Sequence, residues 1–504
     1  MRAANEAQDA QSDDILQRYG YTPAFERTLK RFASFAVGFS FISITTGIFT
    51  TYGVVLGWGG PRGIWTWPLN VIGQLLVACV FAALVSRIPL AGYSYQWASR
   101  LTNPKIGWLL GWVSFTFLVV VTVSVDYAIS SVVLPSLLNY TGTIANQWLA
   151  TAVIVLIQAL LIVFSTVWST RINNAAVGTE VVGIVGLALL LVVVGAARGL
   201  LHPDHLFSTG VAPAAGYFSY GAFNAAGPFM LCFLLGAYTI VGFESAANLA
   251  EETHEAERVV PRMMVYAVIL SGVVGFVFLV ALNLASGNIA ALTKSATPVA
   301  DIITTTLGLA TGKLFLALVL FSIFACGLVI FITGTRLTYA MSRDRRFPGH
   351  QVLRQVNPRT GTPLMATVFL AIVLEVVLAV FANQSAALTN LFTASSLLPC
   401  IIYLSTVILY IATRHKLPRA GGFDLGRFEW PVVALATLWL LFELSIFRDA
   451  QFAEPWKYAA GMFVIGLVYF AWMLARRPES LRAPTHETPT SAPASAELSA
   501  GRGM

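Results

Sequence analysis

Long uncharged apolar runs alternate with short arginine-bearing stretches along almost the whole chain. Residues 32–61, 63–86, 127–170, 263–293, 314–335, 376–413 and 458–475 contain no Asp, Glu, Lys or Arg. A helix needs about 20 apolar residues to cross a bilayer, so several of these runs hold a span and a turn. The pattern predicts an all-α polytopic membrane protein with twelve transmembrane helices. They fall near 33–57, 65–88, 106–135, 146–168, 174–197, 229–250, 263–286, 313–340, 363–382, 386–413, 430–448 and 455–475. Between spans 7 and 8, Pro298 and scattered polar residues over 287–312 suggest short extramembrane or re-entrant helices.

Spans 1 and 6 are each interrupted near mid-membrane by glycine. One carries Ser43-Ile44-Thr45-Thr46-Gly47-Ile48-Phe49, the other Tyr238-Thr239-Ile240-Val241-Gly242-Phe243-Glu244. Breaking a helix in hydrocarbon frees backbone N–H and C=O groups, which is tolerated only where they line a cavity or meet a ligand. Two interrupted segments at matching places in two halves of a chain point to the substrate site of a carrier.

Composition agrees. Of 504 residues 57% are hydrophobic and only 11% charged, against about 25% charged in a soluble domain; mean hydropathy is +0.74. The net charge of +7 does not point to nucleic acid, because of where the charges sit. An even number of spans puts both termini on one side, and 25 of the 31 lysines and arginines fall there. That excess marks the cytoplasmic side, so both termini are expected inside the cell. The four cysteines, Cys79, Cys232, Cys326 and Cys400, all lie in apolar spans and read as small buried hydrophobes. The first 25 residues show no secretory signal, and the Pro-, Ala-, Ser- and Thr-rich tail from Pro478 reads as disordered.

Three arginine-side loops carry more. Ser86-Arg87-Ile88-Pro89-Leu90-Ala91-Gly92-Tyr93-Ser94-Tyr95-Gln96-Trp97 follows span 2. Ala246-Ala247-Asn248-Leu249-Ala250-Glu251-Glu252-Thr253, leading to Val260-Pro261-Arg262, follows span 6. Tyr339-Ala340-Met341-Ser342-Arg343-Asp344-Arg345-Arg346-Phe347-Pro348 follows span 8, with Gly361-Thr362-Pro363 opening span 9. With the glycines of spans 1 and 6, these resemble the amino acid–polyamine–organocation transporter superfamily over about residues 28–476. Trp65-Thr66-Trp67-Pro68 and Gln74 most resemble its amino acid–choline branch.

The resemblance implies a leucine-transporter-type fold, a five-plus-five inverted repeat of helices 1–5 against 6–10 with discontinuous helices 1 and 6. The implied boundaries are a polar N-terminal tail (1–27), a first repeat (28–200), a second repeat (201–420), helices 11 and 12 (421–477) and a C-terminal tail (478–504). Helices 1, 2, 6 and 7 would rock against a scaffold around a midplane site.

Gly47 lies about 21 Å along span 1 at 1.5 Å per residue, near the middle of a ~30 Å core. An unwound Thr45-Thr46-Gly47-Ile48 would offer amides and hydroxyls at the positive end of a half-helix, suited to a substrate carboxylate. The alternative is a packing glycine beside back-bonded threonines. Freed carbonyls at Ile240, Val241 and Gly242 would accept from a substrate ammonium, and Phe243 or Tyr238 could cover the amine. Glu180, about 7 residues inside span 5, matches a position where several members of the superfamily carry lysine. It could carry a coupling proton, pair with a cation, or serve as a structural carboxylate. Glu244 reads as an anchor of the span 6 break or a second ion-coupling acid. Asp126 reads as wet, near the outer end of span 3; Glu375 and Glu443 lie outside the expected pathway. Arg336 and the 343–346 run set topology, with a gate pair to Glu251 or Glu252 as an alternative.

The six histidines show no paired metal spacing, and no phosphate loop or nucleophile elbow appears, so no cofactor and no enzyme activity is expected. The expectation is a plasma-membrane secondary permease for an amino acid or small amine such as GABA, taken up with a proton. Choline, polyamine or other organocation transport and amino acid exchange are alternatives, ahead of a channel or a non-transporting nutrient sensor.

Overall fold

In lipid every backbone N–H and C=O has to find its partner within the chain, and the apolar runs accordingly fold as helices. The computed structural model describes residues 29–482 except 139–140, 165, 222–225, 358–359, 382–385 and 418–419. Both outer tails, 1–27 and most of 478–504, therefore lie outside the described residues. Among those described, the one strand-like pairing is a bridge between Leu29 and Thr253.

Among the described residues eleven helices are long and apolar enough to cross a membrane. The run expected as span 6 is not among them because it is cut into Pro228–Leu231, Leu234–Thr239 and Ser245–Asn248. Residues 287–312 hold two short helices, Ile289–Leu292 and Pro298–Leu307. Several spans run longer than the apolar runs alone imply. Span 3 starts at Pro104, capped by Asn103 Oδ1 on the amides of Lys105 (2.9 Å) and Ile106 (3.1 Å), and continues through a π-helical turn, Ile129–Val133, to Leu138. Span 5 begins at Thr166 and span 8 covers Leu309–Arg343. Pro478–Leu481, expected as the start of a disordered tail, forms a short helix; Ser480 carbonyl accepts from Arg346 Nε at 2.9 Å.

Spans 1 and 3 are the most enclosed, each 89% buried along its apolar window, whereas span 12 is 11% buried. The interrupted span 1 therefore lies at the centre. Span 7, Ala256–Ala285, packs along span 2, Thr66–Val85, where Trp67 Nε1 donates to Gly272 carbonyl at 2.8 Å. Gly272 and Gly275 leave room there for Val71 and the Trp67 ring. Small residues bringing helix backbones together is the usual way spans associate where lipid removes the hydrophobic drive.

Candidate functional site

Span 1 breaks at a serine. Helix Arg31–Ile42 ends at Ser43, whose φ of 34° lies outside helical backbone, and Ile44–Gly59 begins at once. The expected unwinding over Thr45-Thr46-Gly47-Ile48 is thus corrected: all four sit in the first turn or two of the second half-helix. Its leading amides are already occupied. Glu180 Oε1 accepts from Thr45 N at 3.0 Å, Thr45 Oγ1 at 2.8 Å and Ser43 Oγ at 3.3 Å, and Ser43 Oγ accepts from Thr46 N at 3.2 Å. An acid at the amino end of a helix satisfies orphan N–H groups and the positive dipole end together. Glu180 is buried and lies near the middle of Thr166–Ala197, deeper than its position in the apolar run suggested, because span 5 starts earlier.

Gly47 and Ile48 have helical backbone. A Cβ at Gly47 would overlap the Thr239 side chain of span 6, so Gly47 brings the two broken spans together, and Ile48 is wholly buried. Thr50 and Thr51 back-bond to the carbonyls of Thr46 (2.6 Å) and Gly47 (2.7 Å).

Span 6 breaks over a longer stretch, between Thr239 and Ser245. Gly242 has φ of 81°, a region L side chains rarely enter, and a Cβ there would also overlap the Phe41 ring of span 1. Tyr403 of span 10 ties the break down. Its hydroxyl accepts from Gly242 N at 2.8 Å and donates to Glu244 Oε2 at 2.6 Å. Among the described residues the carbonyls of Ile240 and Val241 accept no hydrogen bond. The two rings considered for an amine part company. Phe243 is wedged against Phe81 and Tyr403, centroids 5.9 and 5.2 Å away. Tyr238 reaches toward span 3, where its hydroxyl meets Ser124 Oγ at 3.0 Å.

Asp126 is not wet. It is fully buried: Gln158 Nε2 of span 4 holds its Oδ1 at 2.8 Å, and Gly327 of span 8 presents no Cβ to hold it off. Among the described residues its Oδ2 and Gln158 Oε1 have no hydrogen-bond partner. Span 3 ends at Leu138, within three residues of the expected 135, so it is the cover from spans 4 and 8 that keeps Asp126 from water. Glu443 is also buried and accepts from Gln74 Nε2 at 3.0 Å.

The arginine-rich face is closed by charge pairs. Arg336 Nε meets Glu252 Oε1 at 2.6 Å, and Arg343 grips both Glu251 oxygens at 3.0 and 3.1 Å. Glu251 Oε1 also accepts from Ala91 N at 3.1 Å, and Asn248 Oδ1 from Gly92 N at 2.9 Å. The alternative pairing of Arg336 and the 343–346 run with Glu251 and Glu252 is therefore present. On the opposite face His202, Asp204 and His205 gather with ligand atoms within 4.8 Å of one another, although their spacing in sequence gave no such signal.

The sequence pattern of the amino acid permease family matches residues 29–469. The chain belongs to that family. Amino-acid permease BAT1 of Arabidopsis thaliana is 26% identical over 496 residues, covering 92% of this chain and 94% of its own. Amino-acid permease 2 of Neurospora crassa is 25% identical, covering 91% and 86%. Thiamine transporter thi9 of Schizosaccharomyces pombe is 23% identical, covering 87% and 80%. In this amino acid permease, the residues that sequence reading missed are Ser43, Tyr403 and Gln158. Ser43 carries no glycine signature, and Tyr403 and Gln158 are uncharged residues far in sequence from the groups they hold; a polar residue in an otherwise apolar run was the only available sign.

Proposed function

We propose that the chain is a secondary active permease of the plasma membrane, importing an amino acid or related small amine such as GABA together with a proton by alternating access. The observation that carries this is Glu180 seated on the amides of the span 1 half-helix, where a substrate carboxylate would bind. Two carboxylates cannot share those donors. A proton on Glu180 removes its charge and weakens its hold on Thr45 N; the substrate carboxylate takes its place, and its ammonium meets the Ile240 and Val241 carbonyls. Each of the two therefore favours the other, as symport requires. After inward release Glu180 loses its proton and recaps the half-helix, which lets the empty carrier return. The membrane potential adds about 2.3 kcal/mol per charge per 100 mV.

In this reading twelve spans form two inverted repeats of five plus two outer helices, both termini are cytoplasmic, and the Glu251–Arg343 and Glu252–Arg336 pairs close the inner side. Glu244 and Tyr403 hold the span 6 break, and Tyr238 lines the site. A second reading has its own support: if Glu180 stays on the amides, the substrate is an organic cation without a carboxylate. The similarity to a thiamine transporter points the same way.

Proteoliposomes separate the two. Under the first reading, lowering external pH tightens binding of a zwitterion, and Glu180→Gln exchanges substrate but no longer accumulates it against a proton gradient. Accumulation in Glu180→Gln that still depends fully on the proton gradient overturns it. A thermal-shift series with amino acids, GABA, choline, polyamines and thiamine identifies the class, since a ligand that binds the folded state raises its stability.

A further inference from the structure

A cavity of about 400 Å³ opens on the arginine-rich face, away from the breaks in spans 1 and 6. Arg31 at the start of span 1, Arg258 and Arg262 on the first two turns of span 7, Glu255 and Gly422 line it, with Tyr266 below. Arg258 and Arg262 are four residues apart and share a helix face. All three arginines are exposed, and among the described residues none is in an ion pair. Arg258 makes one hydrogen bond, from Nε to Gly421 carbonyl at 3.3 Å. One glutamate against three guanidiniums leaves the cavity cationic.

The same face of span 7 changes character with depth. Below Arg262 come Tyr266, Ile269, Val273 and Val277, exposed by 55%, 42%, 60% and 47%. At 1.5 Å per residue, Arg262 to Val277 is about 22 Å. Guanidiniums, then a tyrosine, then aliphatic side chains follow the order of headgroup, interface and acyl chain in one bilayer leaflet. Phe32, beside Arg31, is exposed by 54% and adds to the apolar side.

We propose that this cavity binds an anionic phospholipid, its phosphate held by Arg31, Arg258 and Arg262 and an acyl chain lying along Tyr266, Ile269, Val273 and Val277. The apolar stripe selects a lipid over a free anion, and the surplus positive charge selects an anionic headgroup over a zwitterionic one. A bound headgroup links the starts of spans 1 and 7. Leu29, two residues before Arg31, is already tied by backbone to Glu252 and His254 (2.9 and 3.0 Å). The site is independent of substrate and coupling ion.

The test uses the purified full-length protein, with phosphatidylglycerol and phosphatidylcholine compared by native mass spectrometry and thermal shift. Wild type is expected to retain and be stabilised by phosphatidylglycerol selectively. Arg258→Gln with Arg262→Gln should lose that preference by roughly tenfold or more, two basic contacts at a membrane surface being removed. Arg354→Gln with Lys105→Gln, exposed on the same face but outside the cavity, should keep it. Should the double variant fail to purify, Arg31→Gln on the opposite wall gives the same reading. The proposal is overturned by equal retention of the two lipids in wild type, or by an equal loss in the control pair. Inorganic phosphate that displaces phosphatidylglycerol at millimolar concentration would make the cavity a free-anion site instead.

Discussion

The two broken spans solve one problem in opposite ways. Span 1 is cut at a single residue, and its freed donors are satisfied by a carboxylate from another helix, Glu180. Span 6 is unwound over several residues, and its freed carbonyls at Ile240 and Val241 are left without partners while Tyr403 fixes the backbone beside them. The donor side is thus met by a protein carboxylate, and the acceptor side, among the described residues, by no protein donor. An occupied donor site can be switched by protonating its occupant; an acceptor site without a protein donor can only wait for a ligand with N–H groups. In the proposed cycle that difference separates the group that couples from the groups that recognise the substrate.

The comparison breaks most sharply at the glycines. Gly242→Val should abolish uptake with membrane insertion intact, because its φ of 81° and the neighbouring Phe41 ring both refuse a side chain. Gly47 has helical backbone, and the atoms nearest a Cβ there all belong to the Thr239 side chain. Uptake by Gly47→Ala should therefore recover in part when combined with Thr239→Ala, whereas Gly242→Ala with Phe41→Ala should remain inactive. Radiolabelled uptake at matched expression decides it, and equal rescue at both sites would remove the distinction.

Next in size is Glu180. In counterflow, Glu180→Gln should exchange substrate at a rate within a few fold of wild type while its gradient-driven accumulation falls to background. Loss of exchange and of thermal stability together would mark Glu180 as a structural cap only.

Tyr403→Phe removes one hydroxyl that serves both Gly242 N and Glu244. Leaving a buried donor unpaired costs about 1–3 kcal/mol, visible as a lower melting temperature together with weaker substrate binding. Glu244→Gln, which can still accept from Tyr403, should lose less. The smallest effect belongs to Ser43. Ser43→Ala forfeits the cap on Thr46 N and should cost about 0.5–2 kcal/mol, while Ser43→Gly should change stability by only a few tenths. Chemical denaturation of the purified variants measures both.

The contrast also explains what could be read in advance. Span 6 announced its break because glycine is the residue that readily takes the backbone angle at 242. Span 1 announced the wrong residue because its break is made by Ser43, and the conspicuous Gly47 is there for close packing against Thr239. Glu180 was visible as an acid in an apolar run, but its partners lie 135 and 137 residues away, a pairing only the folded chain makes. Asp126 does sit toward the outer end of span 3, which ends at Leu138, within three residues of the expected 135. What keeps it from water is Gln158 of span 4 closing over the carboxylate, a contact only the folded chain makes. The charge pairs near Glu251 and Glu252 were legible only as an option, because the arginines of that face serve topology whether or not they are paired, and the partner of each is set by the fold.

Those pairs have an energetic consequence of their own. Arg336 and Glu252 are only 3% and 6% exposed, so bulk ions screen them little, and opening that face should depend only weakly on ionic strength. Separating them in water would rehydrate both charges, and for buried pairs that recovery is comparable with the lost attraction. This pair then contributes little net preference for the closed arrangement over an open one. If these pairs close the inner side in the proposed cycle, such a gate weighs little in either direction and leaves the ligand's own binding energy to decide which way the carrier faces.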